Sequence, residues 1–189
     1  MHSPRLFIST LVVISTLTCL TLTLSSTSYT AQPMALTIGS KAPDFTLVDT
    51  DRKPRSLKEF AGKKVILAFF PGAFTGVCTK EMCALRDALA SFNAFAAQVV
   101  AISIDSPFAN KGFADQNKLT FPVLSDFTKE VSKKYCGFYD DFAGIKGYTA
   151  SKRAVFILDA AGVVKYVWIG EVPSLEPPYD EITKALGSF

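Results

Sequence analysis

The sequence predicts an α/β domain built on one mixed central sheet with helices on both faces. Three observations carry that prediction. First, Lys64-Val65-Ile66-Leu67-Ala68-Phe69-Phe70 is a short apolar run, rich in β-branched and aromatic residues and stopped by Pro71-Gly72. Such a run suits a strand buried on both faces. Second, the period then changes. Met82, Leu85, Leu89 and Phe92 recur at helical spacing, predicting a helix over residues 76–95, before Gln98 to Ile104 returns to strand character. Strand, helix and strand at these lengths form a βαβ unit, hence a parallel pair joined by a right-handed crossover. Third, Asp159-Ala160-Ala161-Gly162 separates two apolar runs, 153–158 and 163–169, as a hairpin turn does. A parallel unit combined with an antiparallel hairpin makes the sheet mixed.

The remaining elements follow in order. Ser106-Pro107 reads as an N-cap followed by proline at the first helical position, opening a helix to about Lys118. Residues 121–124 read as a short irregular strand, because Pro122 removes a ladder donor. A helix over residues 128–135 and a terminal helix from about Pro178 to Leu186 complete the set. Within the first of these, Lys129 to Lys134 reads as a solvated face. Residues 137–152, rich in Gly, Asp and Tyr, form the longest irregular stretch and are expected to border the site.

The chain has 189 residues, of which 49% are hydrophobic. The part after residue 33 suits one domain with an ample core. Net charge is +3; residues 1–33 carry only Arg5, so setting that residue aside leaves +2 on residues 34–189. With no basic block and no aromatic–basic interleaving, nucleic acid is not an expected partner. Residues 6–24 are apolar, uncharged and preceded by Arg5, like a secretory signal or a weak anchor. The cleavage region is poor, since Tyr29 falls where a small residue belongs if Ala31 precedes the cut. Met34 is an alternative start, so residues 1–33 read either as an export signal or as an upstream extension of a cytoplasmic protein. Three cysteines fall in residues 34–189, an odd number that does not build a disulfide framework. The only histidine is His2, and the thiols lack paired short spacing, so no metal site is expected. No phosphate-cradling loop or dinucleotide fingerprint is present, so no cofactor is expected either.

Cys78 is the candidate reactive residue. It follows the buried strand at the mouth of the next helix, with Thr75 as the expected N-cap, which places Cys78 at the third helical position. Backbone N–H groups there are unpaired and the helix dipole favours an anion, so the thiol is expected to ionise readily.

Pro71, Thr75 and Cys78 together resemble the active-site signature of the peroxiredoxins: a proline, three residues, a threonine, two residues, then the peroxide-reacting cysteine. The similarity extends over nearly all of residues 34–189, through Ala42-Pro43-Asp44-Phe45-Thr46-Leu47, Phe121-Pro122-Val123-Leu124-Ser125-Asp126 and Arg153-Ala154-Val155-Phe156-Ile157-Leu158-Asp159. It implies a thioredoxin-like fold and reduction of hydrogen peroxide and organic hydroperoxides through a Cys78 sulfenic acid. It also implies an activating arginine at Arg153, with Thr75 and Pro71 shaping and shielding the thiolate. Arg153 suits that role chemically, because a guanidinium stays charged and its fork reaches both sulfur and oxygen. One departure is Gly76, where most members carry proline; a glycine at the first helical position loosens the turn.

Cys78-Thr79-Lys80-Glu81-Met82-Cys83 is similar to the bacterioferritin-comigratory, or Q-type, members, in which the second cysteine resolves the sulfenic acid. On an intact helix, residues five apart are separated by about 7.5 Å of rise and point about 140° apart. A disulfide tolerates Cα separations of only about 4.4–6.8 Å. Resolution through Cys83 therefore requires the helix start to unwind. The other reading of Cys83 is a core residue on the helix's apolar face. Cys136 reads either as buried filler or as an alternative resolver. The resemblance further implies an external dithiol, thioredoxin or a similar protein, as reductant, and a monomer or weak dimer. Phe74, Phe138, Tyr139 and Phe142 are candidates for an apolar rim favouring larger peroxides. Two other functions stay open: a thiol–disulfide oxidoreductase, weakened by Glu81 where a C-x-x-C motif needs cysteine, and a non-enzymatic peroxide sensor.

Overall fold

The computed structural model describes residues 36–189. The expectations for residues 1–33, as signal, anchor or upstream extension, lie outside the described residues. Among the described residues no helix is long and apolar enough to cross a membrane.

In chain order the strands and α-helices are β1 (Thr46–Asp49), β2 (Pro54–Ser56), β3 (Lys64–Phe69), α1 (Gly76–Asp87), α2 (Leu89–Ala94), β4 (Ala97–Ser103), α3 (Pro107–Gln116), β5 (Val123–Ser125), α4 (Glu130–Tyr135), β6 (Phe138–Tyr139), β7 (Ala150–Ser151), β8 (Ala154–Leu158), β9 (Val164–Ile169) and α5 (Tyr179–Leu186). Seven strands form one sheet in the order β2-β1-β5-β4-β3-β8-β9, and β6 pairs with β7 in a separate ribbon. β4 runs parallel to β3, as the crossover predicts, and also parallel to β5. β8 runs antiparallel to β3 and continues through the expected hairpin to β9.

Alternation along β3 divides the core. Ile66, Ala68 and Phe70 join a layer with Cys78, Met82 and Leu85 of α1, Phe92 of α2, Phe113 of α3 and Ile182 of α5. Val65, Leu67 and Phe69 face the other way, onto Val131 and Tyr135 of α4, Cys136 and the N-terminal segment around Phe45. A central strand buried on both faces needs just this near-continuous apolar run. Among the described residues α-helices therefore cover both faces, four on one and one on the other.

The helix expected over residues 76–95 is broken at Ala88, whose ψ of −3° leaves the helical range and separates α1 from α2. Ser106 caps α3 as its sequence demands, its hydroxyl accepting from the Ala109 N–H at 3.2 Å. The strand expected over residues 121–124 shifts to β5, because Pro122 has no donor; its carbonyl still takes the Ala101 N–H at 2.9 Å. Lys129 to Lys134 is only partly a solvated face. Val131 and Ser132 are buried, and Lys129 Nζ bonds the Thr149 hydroxyl at 2.6 Å. The β1–β2 hairpin and the β6–β7 ribbon escape sequence reasoning, since each strand is too short to show a period.

Candidate active site

β3 is central, and its C-terminal end points the chain into the loop of residues 70–75. Several contacts fix this loop. The Ser151 hydroxyl donates to the Phe70 carbonyl at 2.9 Å. Asp105, just beyond β4, accepts from the Ala73 N–H at 2.8 Å. Phe74 takes a left-handed φ of 63°, and its exposed ring packs edge-on against Phe113 at 5.5 Å. Pro71 and Gly72 are buried beneath.

Thr75 occupies the N-cap position of α1 with extended backbone, but its hydroxyl does not bond the helix's N–H groups. It turns back instead and donates to the Gly72 carbonyl at 2.9 Å. The capping bond expected from the sequence is thus replaced by one that closes the loop. Cys78 sits at the third position of α1, as expected, and is fully buried.

Register brings Arg153 to Cys78. Phe69 pairs with Ala154, so the residue before β8 emerges beside the exit of β3. Arg153 is 1% exposed, so its guanidinium lies inside the protein. Its Nη2 donates to Cys78 Sγ at 3.5 Å and to the Pro173 carbonyl at 2.8 Å. Its Nη1 pairs with Glu81 of α1, also fully buried. The backbone of Arg153 is buttressed in turn: its N–H meets the Tyr139 hydroxyl, which donates to the Gly170 carbonyl at 2.7 Å.

The electrostatics differ from the sequence expectation in one respect. Burial pushes the Cys78 thiol above its ordinary range, and Glu81 adds to the rise. The Arg153 guanidinium, the Thr75 side chain and the Gly72 backbone pull it down without cancelling the desolvation. The easy ionisation expected at a helix N-terminus is thereby reversed, because a thiolate without water must be stabilised by these groups alone. Burial also pushes Glu81 up to about 7, against the pull of Arg153.

Cys83 lies half-buried on another side of α1, its thiol 3.7 Å from Asn117 Oδ1 at the end of α3. It is therefore not part of the apolar stripe, and it is not brought to Cys78: α1 runs unbroken through both residues. Cys136 is buried in the layer across the sheet from Cys78, with its sulfur 3.6 Å from the Lys152 carbonyl, and burial raises its thiol. Of the expected apolar rim, Phe74 is exposed, Phe142 lies 4.0 Å from where a side chain on Gly72 would begin, and Tyr139 is spent on the Arg153 buttress. Tyr148, edge-on to Phe142 at 5.8 Å, is a rim residue that sequence reasoning missed. Glu81 was missed as well. Its signal was a carboxylate one turn beyond Cys78, on the stripe of Met82 and Leu85, where a solvated residue does not belong.

Residues 38–167 match the model of the AhpC/TSA family. A chloroplastic peroxiredoxin Q from Sedum lineare is 40% identical over 154 residues, 82% of this chain and 80% of the relative. Alkyl hydroperoxide reductase E from Mycobacterium tuberculosis is 40% identical over 134 residues, 69% of this chain and 84% of the relative. The crystal structure of peroxidoxin BcpB from Mycobacterium tuberculosis superposes with a TM-score of 0.72 at 28% identity, covering 82% of this chain and 98% of that one. The family match over residues 38–167 and the 40% identity over most of the chain place it in the AhpC/TSA family, as a thiol-dependent peroxidase of the peroxiredoxin kind.

Proposed function

We propose that Cys78 is the peroxide-reacting residue, that Arg153 stabilises its thiolate and the transition state, and that Cys83 resolves the product. The observation that carries this reading is the Arg153 Nη2 contact with Cys78 Sγ at 3.5 Å in a site sealed from water. The Cys78 thiolate attacks one oxygen of the hydroperoxide in line with the O–O bond. An S–O bond forms, the O–O bond breaks, and hydroxide or alkoxide leaves and takes up a proton. Charge moves from sulfur to the leaving oxygen, so a fixed guanidinium touching the sulfur favours both ends of the step. Thr75 and the buried Pro71 hold the loop that walls the sulfur from water.

The Cys78 sulfenic acid then condenses with the Cys83 thiol: an S–S bond forms and water leaves. An external dithiol, thioredoxin or a similar protein, reduces the disulfide and completes the cycle. Hydrogen peroxide and alkyl hydroperoxides are the substrates, the exposed Phe74 and Tyr148 offering apolar contact to the latter. We read the protein as a monomer or weak dimer, cytoplasmic if translation starts at Met34 and exported or anchored if residues 1–33 act as a signal.

Cys136 is not favoured as resolver, because the sheet stands between it and Cys78. The test is intact mass and peptide mapping after one equivalent of peroxide. The wild type should yield a peptide linking Cys78 to Cys83. Cys83→Ser should stop at the sulfenic acid, and Cys78→Ser should consume no peroxide. Turnover by Cys78→Ser would remove the assignment, and a mapped Cys78–Cys136 bond would transfer resolution to Cys136. Oxidation of Cys78 without turnover, whatever dithiol is supplied, would instead favour the sensor.

A further inference from the structure

The flank of α1 that carries Cys83 meets the C-terminal end of α3 through one residue, Asn117. Its Nδ2 donates to the Phe113 carbonyl at 2.9 Å, which fixes the carboxamide. Its Oδ1 is then turned to the Cys83 thiol at 3.7 Å, and its backbone carbonyl accepts from Arg86 Nη1 at 2.6 Å. Asp87 steadies the Arg86 guanidinium at 2.8 Å. Cys83, Arg86 and Asn117 thus form one knot between two helices. The bonds that Arg153 makes to Glu81 and Cys78 involve none of the three.

We propose that Arg86 and Asn117 are positioning residues for the resolving step: they hold Cys83 and the following turn of α1 against α3 in the reduced protein, and their release governs how fast Cys83 reaches the Cys78 sulfenic acid. The proposal rests on the reading of Cys83 as resolver. Unwinding the start of α1 breaks backbone bonds that every helix has, whereas the knot is made by the side chains of Cys83, Arg86 and Asn117. While the Cys83 S–H points at Asn117 Oδ1, its sulfur is aimed at α3 and not at Cys78. The sulfur must leave that acceptor before it can form the S–S bond, with the sulfenic S–O bond breaking and the thiol proton departing in water. The only oxidant needed is the peroxide already consumed at Cys78.

The test is rapid-quench alkylation and mass analysis after one equivalent of hydrogen peroxide, following sulfenic acid and disulfide separately. Arg86→Gln and Asn117→Ala should each convert the Cys78 sulfenic acid to the Cys78–Cys83 disulfide about two- to tenfold faster, the range for loss of one ordinary hydrogen bond from the closed state. The sulfenylation rate should not change. Arg86→Lys should return resolution toward the wild-type rate, since an ammonium still reaches the Asn117 carbonyl. Amide exchange over residues 83–87 should rise in reduced Arg86→Gln. Because Asn117 also closes α3, the half-exposed Arg86 decides the matter if Asn117→Ala is unstable. Unchanged or slower resolution in folded Arg86→Gln overturns the proposal and leaves Cys83 as resolver. A wild type that forms no Cys78–Cys83 bond overturns both.

Discussion

Arg153 and Cys78, 75 residues apart in sequence, meet at 3.5 Å because β3 and β8 are in antiparallel register. Pairing Phe69 with Ala154 makes the arginine the first residue beyond the strand, at the level where the chain leaves β3 for the Cys78 loop. A one-residue slip would turn every side chain of β8 to the opposite face and withdraw the guanidinium from the sulfur. The sheet therefore sets the site's geometry, and α1 supplies the cysteine proposed as its nucleophile.

Removing that guanidinium should be costly for the first chemical step. Arg153→Met is expected to slow Cys78 sulfenylation by about 10²–10³-fold at neutral pH, the range for loss of one preorganised charge-stabilising donor. Because Arg153 pulls the buried Cys78 thiol down, its loss should also displace the rate's pH profile to the alkaline side. Arg153→Lys should fall between, since an ammonium keeps the charge and loses the fork. Single-turnover sulfenylation from pH 6 to pH 9 checks this, and an undisplaced profile would remove the role.

Glu81 should make stability depend on pH. Its carboxyl is raised in the fold from an ordinary 4.5 to about 7. A raised carboxyl binds its proton more tightly when folded, so its contribution is fully present below about 4.5 and is lost as pH rises through about 7. The loss is on the order of 3 kcal/mol at most. Urea midpoints at pH 5 and pH 7.5 should therefore fall further in the wild type than in Glu81→Gln. Equal slopes would contradict the shift.

Gly76 opens α1 at an exposed position where an added side chain meets nothing within 4 Å. Thr75 before it is extended, with φ −83° and ψ 147°, the conformation a residue ahead of proline must take. Gly76→Pro should fit without strain and stabilise the reduced protein by about 0.4–1 kcal/mol. If that gain lies wholly in the closed helix, resolution should slow by about two- to fivefold. Thermal melts and the disulfide-forming rate measure the two effects, and faster resolution would contradict the need to unwind this turn.

Residues 34–189 should suffice for folding and turnover. A chain beginning at Met34 is expected to match the full chain in melting temperature and in peroxide consumption with a dithiol reductant. A fall in either would make residues 1–33 part of the working protein.

Strong local patterns were legible in the sequence: the β3 run, the helical spacing after Gly76, the Ser106-Pro107 start and the hairpin at Asp159. Each rests on a period or a turn that neighbouring residues determine. Cys78 was visible for the same reason, since strand, loop and helix start are contiguous. Its surroundings were less so. The Thr75 hydroxyl chose Gly72 over the helix because the loop folds back on itself, and no propensity reports that. The rise of the Cys78 thiol follows from burial, which competes with the helix dipole and is unknown until the layers are packed. Asn117 and Arg86 lie beyond sequence reading altogether, as their partnership exists only where α1 crosses the end of α3.

The two-faced burial of β3 separates the molecule's tolerance to change into halves. Ile66, Ala68 and Phe70 share a packed layer with Cys78, so a methyl group added or removed there is transmitted to the sulfur through solid contact. Val65, Leu67 and Phe69 press on the opposite layer, where the same alteration strains Tyr135 and Phe156 and leaves the walls around Cys78 in place. Hardening this protein against heat while preserving its reactivity is therefore a task for the α4 side alone. Substitutions on the α1 side retune the enzyme even when they never touch its reacting atoms.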